Sequence, residues 1–413
     1  VYKRVLKNRN VRIYLAGAGI SRMGNVVAGM AFLFLAYELT GSAVLTTGIA
    51  AAQALPYLFF GLIGGAVADR ADKKRLMIAM DLLRVPLVLS LVVFYQLDLL
   101  GYGGLVAAAF ALQTCGCFYN PAYRAVLPLI TAEEERTTVN GLYDSVTRGV
   151  QVGGPVISVV LLTFAETIHF FTFDAITYVI SAALIFRLSW REPVRNVEEK
   201  TESIFSSLAE FFRWVKRQRE ARTLFLVTFV MVFFNTWVWQ VGLLMLMTET
   251  TVRAEEWYSG LMGWFGAGVI TANLLVPFIW KRMSLGLYLA GSAVWGAGIL
   301  VIGLGTALPV YFIGAGIVAL GLPVAGLARV YLLQTLVPAG MLGRGFSFNA
   351  VLLYGSNVIS LGVYGVLALA FPLKVLFVFS GSVMILAACG GLLLERKRRG
   401  IQLQEGAFYE NNR

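Results

Sequence analysis

From Val44 to Ala68 the chain runs without one charged residue, and the next seven positions read Asp69-Arg70-Ala71-Asp72-Lys73-Lys74-Arg75. A run of that length and composition crosses a bilayer core, which takes ~20 apolar residues in a helix. Apolar text resumes at Leu76, so the charged stretch has room for a turn and little else. Backbone inside hydrocarbon must satisfy its N–H and C=O groups within the segment, which restricts such a chain to helices unless it closes a barrel. The rest of the sequence repeats this construction. It is 58% hydrophobic and 14% charged over 413 residues, where a soluble domain carries about a quarter of its residues as charges. Spans are expected near 12–38, 44–68, 76–97, 103–122, 140–164, 168–188, 222–247, 257–280, 285–305, 308–332, 346–370 and 373–394. The fold class is all-α: a membrane protein of twelve transmembrane helices.

The formal charge of +11 invites a nucleic-acid reading, but its distribution argues against one. With those spans, 29 of the 34 Lys and Arg fall on one side of the membrane, with only Arg253 and Lys374 on the other. Basic residues resist translocation, so both termini are expected in the cytoplasm of a multi-pass protein of the cell (plasma or inner) membrane. The excess of positive charge then serves topology and contact with anionic lipid. One His and three Cys leave no metal or disulfide framework, and Cys115, Cys117 and Cys389 read as packing residues. The basic N-terminus is followed by an apolar run from Val11 to Leu39, too long for a cleavable signal core. Trp257 and Trp280 suit interfacial anchors.

The second half echoes the first. Leu127-Pro128 and Val337-Pro338 are 210 residues apart, and Asn140 and Asn349 are 209 apart. That predicts two six-helix bundles, residues 1–189 and 222–395, joined by a cytoplasmic linker, 190–221. Within the linker, Ile204, Phe205, Leu208, Phe211, Phe212 and Val215 fall at helical spacing opposite Glu210, Arg213, Lys216 and Arg217. This predicts an amphipathic helix on the membrane surface. Residues 396–413 read as a polar, disordered cytoplasmic tail.

Gly65-x-x-x-Asp69-Arg70-x-x-Lys73-Lys74 resembles the loop between helices two and three of the major facilitator superfamily, with Asp72 where most members have Gly. Ser21-Arg22-Met23-Gly24-Asn25, Asp81-Leu82-Leu83-Arg84, Phe173-Asp174-Ala175-Ile176-Thr177-Tyr178 and Val337-Pro338 to Gly343-Arg344 and Ser347 resemble one branch of it. That branch is the drug:proton antiporters, with macrolide-efflux proteins and the enterobactin exporter; Asn25 replaces its usual Asp. Gly149-x-x-x-x-Gly154-Pro155 is similar to the antiporter motif, with Ser158 and Val159 in place of its closing Gly pair. The resemblance implies the major facilitator fold and a gating set: Gly65, Asp69, Arg70, Lys73, Lys74, Asp81, Gly149, Gly154, Pro155 and Arg344. In it Asp69 caps the start of the eleventh span while the inner gate is shut, and the basic residues pair across the bundle seam.

Charges at membrane depth are costly and rarely face lipid. Arg22, Arg84, Asp144, Arg148 and Asp174, with Glu38 at the outer end of the first span, are therefore candidates for proton coupling. Asp174 and Asp144 lead; the alternative for them is a permanent pair, Asp174 with Arg22 or Asp144 with Arg148. His169 reads as an exposed histidine rather than an aid to Asp174. Candidates for substrate binding at suitable depth are Asn25, Gln53, Tyr57, Gln113, Phe118 and Asn235. Trp239, Gln240, Trp264, Asn273, Tyr354 and Asn357 complete that set. Without a P-loop or catalytic cluster, the chain reads as neither an enzyme nor an ATP-driven pump, and it needs no cofactor beyond a proton gradient. The resemblance implies a monomer that exports amphipathic small molecules against protons. Alternatives are an exporter of one physiological substrate, with a polar basic cavity favouring a siderophore and an apolar lateral one a lysophospholipid, or a non-transporting membrane receptor or enzyme.

Overall fold

The computed structural model describes residues 1–190 and 203–411, with side chains except at 43, 44 and beyond 395. Fifteen α-helices follow in order: α1 Tyr2–Lys7, α2 Arg9–Thr40, α3 Ala43–Arg70, α4 Lys73–Gln96, α5 Tyr102–Ile130, α6 Glu133–Leu162, α7 His169–Arg187, α8 Ile204–Arg217, α9 Arg219–Trp237, α10 Leu243–Thr250, α11 Ala254–Ile279, α12 Leu285–Leu304, α13 Leu308–Leu336, α14 Leu342–Ala370 and α15 Leu373–Asn411. A π turn, Val238–Gly242, joins α9 to α10 in one span, Arg219–Thr250. Among the described residues, twelve helices are long and apolar enough to cross a membrane.

Local chemistry sets the helix boundaries. Asn8, Ser42, Asp72 and Ser284 each accept a backbone N–H in the first turn of α2, α3, α4 and α12, the usual work of a short polar cap. The loop between α3 and α4 is two residues, Ala71 and Asp72, both at negative φ. Asp72 therefore serves better than Gly would: its carboxylate holds Arg75 N at 2.8 Å. Gly41, at φ 60°, ends α2 in the left-handed conformation that an L side chain resists.

The chain divides into two compact units. The first is Val1–Arg217 with Leu333–Tyr354, and the second is Gln218–Leu332 with Gly355–Arg413. In the first, α2 packs on α7 and α6, α3 on α5, and α4 on α5 and α7. One apolar cluster surrounds Val27, Phe32, Leu35, Leu91 and Phe171. Another surrounds Tyr14, Met77, Tyr123, Val126 and Ile185, with Tyr14 stacked on Tyr123 at 4.4 Å. In the second unit α12 packs on α13 and α15 through glycines: a Cβ on Gly298 would stand 2.6 Å from Gly314 O, and one on Gly381 2.5 Å from Leu300 N. Small residues permit this backbone approach where there is no hydrophobic force between helices.

Three readings of the sequence change. The chain beyond residue 395 is helical to Asn411, not disordered; Arg, Lys, Gln, Leu and Glu dominate it and are strong helix formers. The stripe that α8 buries is Ser207, Phe211 and Val215, while Phe205 stays 77% exposed. Phe211 and Phe212 pack on Phe348 of α14 at 5.8 and 5.4 Å, so α8 lies on protein rather than only on a membrane surface. The linker residues 191–202 fall outside the described residues.

Gly298→Ala is expected to lower stability in detergent by about 1–3 kcal/mol through overpacking against backbone. Gly326→Ala, whose Cβ would meet nothing within 4 Å, is expected to leave it unchanged. Thermal unfolding monitored by size-exclusion chromatography distinguishes the two.

Candidate functional site

One face of α2 carries Ala18, Ser21, Arg22, Asn25, Ala28, Gly29 and Phe32, spaced by three and four residues. It lines a cavity of about 410 Å³ in the first unit. Gln53 of α3, Arg84 of α4, Gln113 and Asn120 of α5, Thr147 of α6, Asp174 and Tyr178 of α7 and Tyr354 of α14 contribute to the remaining wall. The lining includes four side-chain amides, two arginines, one carboxylate and five tyrosines, which makes it polar for a chamber between apolar helices. Tyr57 stands behind Tyr354, ring on ring at 4.1 Å, and its hydroxyl accepts from Asn120 Nδ2 at 2.6 Å.

The charged groups in this wall differ in how they are satisfied. Arg84 is buried; its Nη1 contacts Asp81 Oδ1 at 3.3 Å, and its guanidinium lies 5.0 and 5.2 Å from the Tyr119 and Tyr178 ring centres. Such stacking holds a cation at a fixed height between two faces. Asp174 is 1% exposed, accepts from Thr177 Oγ1 at 3.2 Å, and makes no ion pair among the described residues. Its carboxylate rests on α2 at Gly24, where any Cβ would collide with it. Tyr178, one turn on, donates to Asn25 Oδ1 at 3.0 Å. Arg22 is exposed to the cavity and also makes no ion pair among the described residues. Neither member of the alternative Asp174–Arg22 pair is thus committed to the other. Asp144 and Arg148 do pair, at 2.6 Å and about a third exposed, each one position along α6 from the lining residues Tyr143 and Thr147.

A second constellation forms where α3 meets the start of α14. Asp69 Oδ1 accepts from Gly343 N, and Oδ2 accepts from Arg344 N and Nε, each at 3.0 Å. The two backbone N–H groups belong to the first turn of α14, which has no intrahelical acceptor for them and carries the positive end of the helix dipole. Gly65 and Gly343 let the backbones meet: a Cβ on Gly65 would stand 2.6 Å from Gly343 O. Arg344 also donates from Nη1 to Ser207 O at 2.6 Å and Glu210 Oε2 at 3.0 Å, and from Nη2 to Gly340 O at 2.9 Å. Arg70 donates to Ser203 O at 2.7 Å and to Ser207 Oγ. Lys74 turns back to Leu188 O at 2.9 Å over the Phe186 ring, within the first six spans and not across a seam. Lys73 is buried. Deeper in the same unit, Asn140 and Gln334 exchange side-chain hydrogen bonds at 2.8 and 3.3 Å.

The other sequence candidates lie elsewhere. Asp81 joins Arg84 rather than the Asp69 group. Glu38 lies with Tyr95 and Glu166 in a separate open pocket. His169 is at the exposed start of α7, 3.4 Å from Thr172 Oγ1. Phe118 is half-buried and off the cavity wall. Gly154 packs on Val26, Gly149 touches nothing a Cβ would meet within 4 Å, and Pro155 is exposed. Asn235, Trp239, Gln240, Trp264, Asn273 and Asn357 belong to the second unit and do not line this cavity. There Asn235 accepts from Trp295 Nε1 at 3.0 Å, Asn357 from Thr236 Oγ1, and Trp264 donates to Phe312 O at 3.1 Å. Asn273 is buried, Trp239 packs on Phe265, and Gln240 is exposed in the π turn. Sequence reasoning missed Tyr119, Asn120, Tyr178, Ser207 and Glu210. For Asn120 and Tyr119 the signal was present, since polar residues in Phe118-Tyr119-Asn120-Pro121 interrupt an apolar helix.

A profile of the family described as transmembrane secretion effectors matches residues 5–402. The chain is 30% identical over 173 residues to macrolide efflux protein A of Streptococcus pyogenes, a match covering 41% of this chain and 42% of that one. The chain thus spans about two fifths of the length of the curated relatives of that name. It is 26% identical over 404 residues to the multidrug efflux pump Tap of Mycolicibacterium fortuitum, covering 91% and 93% of the two chains. Among solved structures, a bacterial homologue of the iron transporter ferroportin in an outward-facing state superposes with a TM-score of 0.74 at 13% identity, covering 94% of this chain and 99% of that one.

Asp69→Asn removes the charge from three charge-assisted hydrogen bonds to α14. In a chain freed of its native cysteines, a cysteine replacing buried Ser347 is expected to be alkylated about tenfold faster once Asp69→Asn is added. That corresponds to roughly 1.5 kcal/mol, one charged hydrogen bond.

Proposed function

Because the chain belongs to the transmembrane secretion effector family of the major facilitator superfamily, we propose that this transporter exports amphipathic small molecules by proton-coupled antiport. One observation carries the reading: Asp174, deep in a membrane span, borders the polar cavity and makes no ion pair among the described residues. A carboxylate held this way can accept a proton from water in the cavity and lose it when its surroundings change. Permanently paired carboxylates, such as Asp144 on Arg148, are poorer carriers because the partner stabilises one charge state. Arg84 acts as a positioning residue. It pairs with Asp81 and lies against the faces of Tyr119 and Tyr178, the latter one turn from Asp174.

Alternating access then needs one end of the cavity to close while the other opens. The Asp69 cap on α14, with Gly65 and Arg344, is the latch of the cytoplasmic end in this reading; the basic loops and both termini share that side. Efflux by named relatives supports the outward direction: macrolide efflux protein A and Tap carry it in their names. The polar, arginine-bearing wall favours, as a second reading, one polar physiological substrate such as a siderophore over a lysophospholipid.

Wild-type protein in proteoliposomes is expected to release protons when candidate compounds are added across a pH difference. Asp174→Asn is expected to abolish this coupling, a loss of at least about a hundredfold, and to leave binding within about threefold. Export by Asp174→Asn that kept its full dependence on the proton gradient would remove Asp174 from the mechanism.

A further inference from the structure

Arg22 is unusually placed. It stands thirteen residues into the first span, Arg9–Thr40, about 20 Å along the helix. A guanidinium at that depth normally has a carboxylate mate or a backbone carbonyl. Here neither Asp81 nor Asp174 pairs with it: Asp81 is on Arg84, and Asp174 lies against Gly24 of α2 and accepts from Thr177. Arg22 projects into the cavity, where Asn25, Gln53 and Gln113 offer neutral hydrogen-bonding groups and the Tyr57–Tyr354 stack offers an aromatic wall.

We infer that Arg22 is the anion-docking residue of the cavity, and that the preferred cargo is a planar or aromatic amphipath bearing a carboxylate or similar oxyanion. The guanidinium presents a fork of donors matched to two oxygens of such a group. The amide side chains take its remaining polar edge, and a ring of the cargo lies against Tyr354. A cationic amphipath meets Arg22 as a like charge, and the cavity's one carboxylate, Asp174, is already buried against α2 and α7. The inference rests on the export reading only in treating this cavity as the cargo's path; binding itself can be read without transport.

The test uses two xanthene dyes of one skeleton and opposite charge, fluorescein and rhodamine 6G. Binding is followed by fluorescence anisotropy to the full chain in nanodiscs of neutral phosphatidylcholine. Fluorescein is expected to bind at least about tenfold more tightly than rhodamine 6G. Arg22→Gln should weaken fluorescein at least about tenfold and erase the preference, and Arg22→Lys should restore it to within about threefold. Size-exclusion behaviour and the retained rhodamine 6G affinity confirm that Arg22→Gln is folded. The inference falls if wild type does not bind fluorescein, if rhodamine 6G binds as well or better, or if Arg22→Gln binds fluorescein as wild type does. Arg22-dependent binding with no movement of either dye in proteoliposomes would keep the site and sink the export reading. Export of amphipaths with no Arg22-dependent binding would do the reverse.

Discussion

A charge inside a bilayer must find a counter-charge, water or a polar cargo, and this constraint orders the first unit of the protein. Its ionisable groups meet the constraint in different ways. Arg84 has Asp81 and two tyrosine faces. Asp69 has the free N–H groups of a helix start and an arginine. Asp144 has Arg148 one turn along its own helix. Asp174 and Arg22 remain without an ion pair among the described residues, and both border the cavity. A paired charge is a structural part, and breaking such a pair when buried costs several kcal/mol, about 3–5. An uncommitted charge beside an aqueous chamber is available for protons or cargo. The same list of residues divides into scaffold and machinery on this one criterion.

The backbone meets the parallel constraint by staying helical. Pro56, Pro86, Pro121, Pro155 and Pro277 stand inside helices, where each removes one N–H donor. Threonines such as Thr114, Thr147 and Thr236 return hydroxyls to carbonyls of the preceding turn. The π turn at Val238–Gly242 is the one place in a span where the α pattern is given up among the described residues. It is packed tightly: a Cβ on Gly242 would press into Trp237 and Phe377.

Most of the architecture was legible because hydropathy acts over whole segments. Twelve apolar runs and the position of the basic loops follow from summed transfer energies, which tolerate local exceptions. The pairing of charges was not legible, for a reason visible in the residues. Asp144 and Arg148 are four apart on one helix, so their pair could be read from spacing alone. Asp174 and Arg22 lie on different helices, and what separates them is the rotation of α2. Gly24 turns its bare face to Asp174, while Arg22, two residues earlier, points into the cavity. A helical wheel shows that positions 22 and 24 diverge, but not which of them faces α7. The substrate candidates failed in the same way. Asn25, Gln53, Gln113 and Tyr354 line the cavity, while Asn235 and Asn357 spend their oxygens on Trp295 and Thr236.

The two oxygens of Asp69 tie the start of α14 to the end of α3. They serve two backbone N–H groups and one arginine side chain. Arg344 in turn reaches Ser207 and Glu210 of α8, so the segment that joins the two halves in sequence is held at the same point as α14. A helix end capped by its own Ser or Asp is fixed independently of the rest of the chain, as at Ser42 and Asp72. One capped from 274 residues away is fixed only while that distant carboxylate stays in place. The start of α14 is therefore conditional in a way the starts of α3 and α4 are not, and Gly65 and Gly343 keep the approach close enough for a single carboxylate to set the condition.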